Sequence, residues 1–588
     1  MAVGGDRLLK DCIEIFQKKI EHMGNECGNA DALILDNYIP ADGDYIVVKK
    51  DGSVVRCSIK MDKKAGRPVK DLSDGDSQYE DIVFYDYHSR LVSNRKSQDP
   101  KRIIQSNNYL SFWVKKDSLT NGKLNMESIE RYFDILSNPR VKYKNAKDSK
   151  MYDYIFPVVG EVNQEKLEQC RNWIKHHIFN MQDFGIDTSG KDYLKIFFEE
   201  DRDLYINEEK RYVMTKIFNK NDYNIDIDEQ TYGLSNDNLA LNSKKPYMEH
   251  KTRKNVVPYL ITLEEAVTQR KFFDYLMNEA NRGYTNIFFD SDEDDIIAKK
   301  PGEFITEDFS GFFIQIQKEK EELSIQHQDT IVDYKYNLYK HFQYRDVIGS
   351  ARDEEIFKEY VNKKQMLAVL DEVIFSKCLS RNFFTDDINV NPELKRNIIM
   401  SRDAIFAWLY KGQEQGIDAV LHNVCINTVR DSINNGYMNR VIMQFNFMKS
   451  LEEYFGGVNM ADRYSDIRKN LSGKINKKGY SQIESDEEYF YAVGQLVYYF
   501  ISLNKSKDKK HSLANPFFNA RNNELLQKKI TQFFKKYNYI IGTTNLRFNN
   551  LYSMVSSYEL TGRVKSEEII AGYISSNLIY DSANKEED

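Results

Sequence analysis

The stretch LNSKKPYMEHKTRKNVVPY, Leu241–Tyr259, divides the chain. Its prolines, Pro246 and Pro258, remove backbone donors and push their neighbours out of helical geometry, so no helix runs through it. Five cations, Lys244, Lys245, Lys251, Arg253 and Lys254, stand there against one acid, Glu249. A constrained, extended, cationic segment suits a polyanion better than a core. Composition alone favours the plainer reading, a solvated linker between two domains. Upstream of it the apolar pattern mixes strands with helices, and downstream helices dominate.

A chain of 588 residues is too long for one core. The reading outward from the divide is α+β: a mixed region 1–240, then a basic segment with a mostly helical middle over 241–440, and a C-terminal helical bundle over 441–588. Net charge is −7, from 83 basic and 90 acidic residues, which argues against a general polyanion binder. Distribution says more than the sum. Over 505–565 the balance is 12 basic against 3 acidic residues, so the tail is strongly cationic in an acidic chain. The cysteines Cys12, Cys27, Cys57, Cys170, Cys378 and Cys425 form no CxxC pair, which speaks against a zinc site and fits a reducing cytoplasm. Met1–Gly24 carries charges throughout and is no signal peptide, and Tyr489–Leu503 is too short to span a bilayer.

Taken in order, DGDYIVVKKDGSVVRCSIK reads as a hairpin, Tyr45–Val48 and Val54–Ile59 about Asp51-Gly52. A basic loop follows over Lys60–Lys70, holding Lys63, Lys64 and Arg67. A second basic cluster, Arg90 to Arg102, leads into Asn107, Asn108 and an aromatic strand, and a third spans Arg140–Lys150. Cations beside amides and aromatics are what a backbone and groove reader needs. Each cluster is also what an ordinary solvated loop looks like. Thr262 and Glu265 form a capping box before a helix closed by Gly283, and Ile314–Met438 reads as mostly helical.

Several motifs fail on inspection. GIDTSGKD (Gly185–Asp192) approaches a phosphate loop, but Asp192 stands where a hydroxyl must hold magnesium, and a strand follows instead of a helix. His176 and His177 are about 100° apart on a helix and cannot easily share a metal. DSDEDD (Asp290–Asp295) lacks the glycine and distal glutamate of a calcium loop. The E-x-K of Glu208 and Lys210 is common in charged helices. Nothing calls for a cofactor, a metal or a catalytic group.

Four helices are expected in the tail: Glu487–Leu503, Arg521–Tyr537, Asn545–Tyr558 and Lys565–Ser576. In the second, Leu526, Ile530, Phe533 and Tyr537 form one stripe, Lys528 and Lys535 lie opposite, and Lys529 and Lys536 lie beside it. A bundle that buries its aromatics and presents lysines outward can track the phosphates of a single strand. It can equally be a plain amphipathic surface helix.

The order and texture of DYLKIFFEEDRDLYINEEKRYVMTKIFNKNDYN (Asp192–Asn224), LITLEEAVTQRKFFDYLMNEANRG (Leu260–Gly283), FNARNNELLQKKITQFFKKYNYII (Phe518–Ile541) and EEIIAGYISSNLIY (Glu567–Tyr580) resemble the large subunit of the type I-B CRISPR Cascade effector complex, the Csh family. The likeness covers most of residues 100–588 and rests on no short motif. It implies a non-catalytic, cytoplasmic subunit that contacts the crRNA, reads the PAM on target double-stranded DNA, helps open the duplex and holds the displaced single strand. Its implied partners are the backbone, handle-binding and small subunits and a recruited helicase–nuclease, with no membrane. By this analogy Asn107, Asn108, Lys244, Lys245, Lys251 and Arg253 would meet the PAM-proximal duplex. Lys63, Lys64 and Arg67 would meet duplex backbone or crRNA handle, and Lys528, Lys535 and Lys536 the displaced strand. The resemblance also implies a separate small subunit from an internal start at Met443, Met448 or Met460. Two other classes remain: a metal-dependent nuclease using Glu208 and Lys210, and a scaffold that binds only protein.

Overall fold

The computed structural model describes residues 5–27, 30–62, 67–72, 75–143, 146–228, 230–235, 260–319, 322–349, 355–385, 387–457, 462–504 and 510–581. The chain divides into two compact units, Met1–Lys300 with Gly311–Thr330, and Pro301–Ser310 with Ile331–Asp588. The first mixes sheets with helices and helices dominate the second, so the α+β organisation read from sequence holds. No break falls at 240, and Met443 lies inside the helix Met438–Gly456, whose buried face begins at Val441.

The core sheet of the first unit runs in the order Arg67–Lys70, Val54–Asp62, Gly43–Val48, Tyr193–Phe198, Ser111–Lys115. Gly43–Val48 pairs antiparallel with Val54–Asp62 and parallel with Tyr193–Phe198. All six residues of that central strand are buried, as two-sided covering requires. The hairpin turns where Asp51-Gly52 placed it, with Gly52 at φ +87°. The expected basic loop at Lys60–Lys70 is instead a second hairpin. The strand continues to Asp62, which pairs with Arg67.

A second sheet orders Asp295–Lys299, Asn286–Asp290, Phe309–Glu319 and Glu322–Tyr334. Helices Gly5–Cys27 and Leu263–Asn281 share its core through Phe16, Phe272 and Phe289. The capping box is formed: Glu265 N donates to Thr262 Oγ1 at 3.2 Å and Thr262 N to Glu265 Oε2 at 2.8 Å. DSDEDD makes the turn between two of these strands, with Asp294 and Asp295 each 2.9 Å from Lys18 and Lys19 respectively. The largest departure from the sequence reading lies in Ile314–Met438. Its first part is strand to Asn362, including Asn337–Gln343 paired with Glu359–Asn362. Phe313, Gln315 and Gln317 alternate with Ile314 and Ile316 there, a period of two in which both faces carry apolar or amide groups.

The dividing stretch is no linker between units. Residues 236–259 lie outside the described residues, but the strands on either side of them, Gln230–Gly233 and Ile261–Thr262, pair antiparallel within the first unit.

In the second unit the four expected tail helices are Asp486–Ser502, Asn523–Tyr537, Leu546–Ser557 and Ser566–Ile574. Ser485, Asn522 and Asn545 cap the first three through their side chains. No helix among the described residues is long and apolar enough to cross a membrane. The described cysteines, Cys12, Cys57, Cys170, Cys378 and Cys425, are all free.

Candidate nucleic-acid interface

The helix Asn523–Tyr537 is built as its stripe requires. Leu526, Ile530 and Tyr537 are buried, and Phe533 packs edge-on against Phe517 at 4.9 Å. Gln527 Nε2 donates to Val555 O at 2.7 Å and fixes the rotation of the helix. Lys528, Lys535 and Lys536 are then exposed and Lys529 half-buried. Lys528 and Lys535 make no ion pair among the described residues. Seven residues span about 10 Å of helix and return to nearly the same azimuth, so the lysines form two short parallel rows. Lys536 leans over the Tyr537 ring, 5.1 Å from its centroid. The one acid of the helix, Glu524, sits in the first turn, where the helix dipole favours it.

The amides differ from expectation. Asn107 and Asn108 are each 1% exposed. Asn107 Nδ2 donates to His88 O and Arg90 O, both at 2.9 Å. Asn108 Oδ1 accepts from Leu110 N at 2.9 Å and Ser111 Oγ at 3.1 Å, while its amide donates to Asn107 Oδ1 at 2.6 Å. They hold a loop against a strand and have no free polar atom for a base. Arg67 lies on a strand. Lys63, Lys64, Lys244, Lys245, Lys251 and Arg253 lie outside the described residues.

Much of the remaining basic charge is spent internally. Lys96 Nζ donates to the carbonyls of Lys216, at 2.6 Å, and Phe218. Lys142 Nζ donates to Ser97 O at 2.6 Å. Burial brings each ammonium down to about 7. Arg90 pairs with Asp274 at 2.7 Å, Arg140 with Asp153 at 2.5 Å and Lys150 with Asp226 at 2.6 Å. Arg95, Lys101 and Arg102 remain exposed.

The alternative metal site does not assemble. Glu208 is buried and chelated by Arg211, with Nε at 3.1 Å and Nη2 at 3.0 Å. Lys210 is exposed, because positions two apart on a helix point about 200° apart. Among the described residues one group has metal-ligating spacing, His422, Glu452 and Glu567, whose ligand atoms all lie within 4.8 Å of one another. Lys449, 3% exposed at its side chain, bridges the same carboxylates at 2.9 and 2.6 Å. His422 Nδ1 faces Glu452 at 3.3 Å and Nε2 faces Glu567 at 3.2 Å. Two protein cations thus balance two carboxylates and leave no cation vacancy, so this is a charge box joining three helices. Nothing in the sequence flags it, since its members lie on helices far apart in the chain.

That box makes stability pH-dependent. Hydrogen bonds that His422 donates to Glu452 and Glu567 raise it from 6.5 to about 10. Burial works to raise Glu567, but His422 and Lys449 together hold it at about 2. The histidine contribution is complete below 6.5 and is lost as pH rises through about 10. The glutamate contribution is complete above 4.5 and is lost as pH falls toward about 2. Thermal unfolding followed from pH 6 to pH 10 is expected to show a falling midpoint that His422→Gln flattens. An unchanged slope in the variant would remove His422 as the source.

Comparison with protein-family models, with curated proteins and with solved structures finds no match.

Proposed function

We propose that this chain is a non-catalytic nucleic-acid-binding subunit, the large subunit of a crRNA-guided DNA surveillance complex like type I-B Cascade, working in the cytoplasm. The observation that carries the reading is the outward lysine face of the helix Asn523–Tyr537, set on a bundle that buries its aromatics. Lys528, Lys535 and Lys536 would follow the displaced single strand, their charge releasing counterions from its phosphates. The cationic segment holding Lys244, Lys245, Lys251 and Arg253 is the proposed duplex contact near the PAM. Lys63 and Lys64 are proposed for the crRNA handle or duplex backbone. Pairing with the guide would supply sequence choice. Other Cascade subunits and a recruited helicase–nuclease complete the proposed partner set.

The test is salt-dependent binding of the purified chain to single-stranded DNA. The triple variant Lys528→Glu, Lys535→Glu, Lys536→Glu is expected to bind more weakly and to lower the salt slope by about one for each phosphate it no longer neutralises. An unchanged slope would set the lysine face aside. A protein-only scaffold is the second reading. The internal use of Lys96 and Lys142 favours it, and it requires no salt-dependent DNA affinity at all.

A further inference from the structure

A cavity of about 430 Å³ lies within the first unit, between helices Ser77–His88, Ala146–Val159, Arg202–Lys216 and Leu263–Asn281. This is the size range of small-molecule sites. Its walls are mostly apolar, from Ile155, Ile206, Val213, Met214 and Val267. At its rim Tyr154 and Val158 are 58% and 62% exposed, high values for an aromatic and an aliphatic side chain side by side on one helix.

One lining group is polar, buried and unsatisfied. His88 is 1% exposed and its Nε2 has no hydrogen-bond partner. Its other nitrogen, Nδ1, lies 2.5 Å from Glu209 Oε2. Although burial works to raise Glu209, His88, Arg270 and Lys271 hold it below the usual carboxylate range. A carboxylate only accepts, so Nδ1 carries the hydrogen and the ring orientation is fixed. Nε2 is left to accept from a ligand. A buried polar atom without a partner is uncommon in a folded protein.

The charges sort in the same direction. Of the lining carboxylates, Asp31 is consumed by Lys271 at 2.6 Å and Glu209 by His88. Lys210 is exposed and has no ion pair among the described residues. Glu264 stands exposed at the first turn of its helix.

We propose that this cavity binds a single nucleotide. The base lies against the apolar wall and the Tyr154 ring, its edge hydrogen-bonded by His88 Nε2, with the phosphate at Lys210. Extruded bases are read in this manner, by stacking on aromatic or apolar groups and by bonds to the base edge. The site does not depend on the lysine face of the tail or on the guided-complex reading.

The test is calorimetric titration of the full chain with the four nucleoside monophosphates and the corresponding nucleosides. Saturable binding of at least one monophosphate is expected at millimolar concentration or below. Lys210→Glu, an exposed change that leaves the fold intact, is expected to weaken the monophosphate about tenfold and to leave the nucleoside unchanged. Glu264→Gln is expected to strengthen it. His88→Gln is expected to alter the preference among bases. Competition by a short single strand would identify a nucleotide within a strand as the ligand, and no competition a free nucleotide. Absence of binding by all four monophosphates overturns the proposal, even if single strands bind elsewhere. So does binding indifferent to both Lys210→Glu and His88→Gln. The triple lysine variant of the tail is expected to leave monophosphate binding unchanged, so failure of either reading is visible separately.

Discussion

Gly572→Ala is expected to destabilise the second unit by about 1–3 kcal/mol or more, against the intrinsic helix preference for alanine. Helices Asp486–Ser502 and Ser566–Ile574 cross at two glycines. A Cβ on Gly572 would lie 2.0 Å from Tyr491 O and 2.8 Å from its carbonyl carbon. One on Gly494 would lie 2.2 Å from Ile569 O and 2.6 Å from Tyr573 N. The obstacles are backbone atoms, so no side chain can swing aside and the helices must separate. Separation would strand Gln495, whose amide donates to Gly572 O at 2.5 Å and accepts from Leu578 N at 2.7 Å. Gly473, mid-helix in Arg463–Asn476, provides the control, because its Cβ would meet nothing within 4 Å. Gly473→Ala is expected to stabilise by about 0.5–1 kcal/mol. Urea midpoints of the two variants should move in opposite directions. A stabilising Gly572→Ala would mean that the helices do not touch there.

Lys195→Met is expected to cost about 3–5 kcal/mol in the first unit. Lys195 sits in the core sheet at 4% exposure, its Nζ 2.6 Å from Asp86 Oδ1. Burial pushes its ammonium down, and Asp86 pulls it back up. The ammonium also lies 3.9 Å from the Trp113 ring centroid. Asp86 is fully buried and accepts from Tyr38 Oη at 2.6 Å. Removing only the lysine leaves a carboxylate with one donor and no counter-charge. The double variant Lys195→Met, Asp86→Asn keeps an acceptor for Tyr38 without the charge, and should recover a large part of the loss. If both variants are equally unstable, the missing lysine packing and not the stranded charge is the cause.

What is legible in the sequence follows from the range of each signal. The Asp51-Gly52 turn and the Thr262–Glu265 box act over a few residues, and both form where expected. The strands after Ile314 escape a helical reading because interleaved polar residues suit a two-faced strand as well as a helix surface. Charge can be counted along the chain, but its destination cannot. Lys96 and Lys142 find backbone carbonyls, and His88 finds Glu209 at a separation of 121 residues, which no local pattern encodes. The lone lysine in the otherwise apolar strand YLKIFF is the one local sign of a buried pair. Asn107 and Asn108 show the converse: amides beside a basic cluster can be the clips of a loop.

The most direct measurement is DNA binding by a guide-loaded complex assembled without this chain, with it, and with its triple variant Lys528→Glu, Lys535→Glu, Lys536→Glu. Targets carry a randomised flanking motif and are read over a salt series. The expected result is flank-dependent, salt-sensitive binding only when the chain is present, with the triple variant weakened on every flank and its flank preference kept. Equal binding with and without the chain would contradict the account.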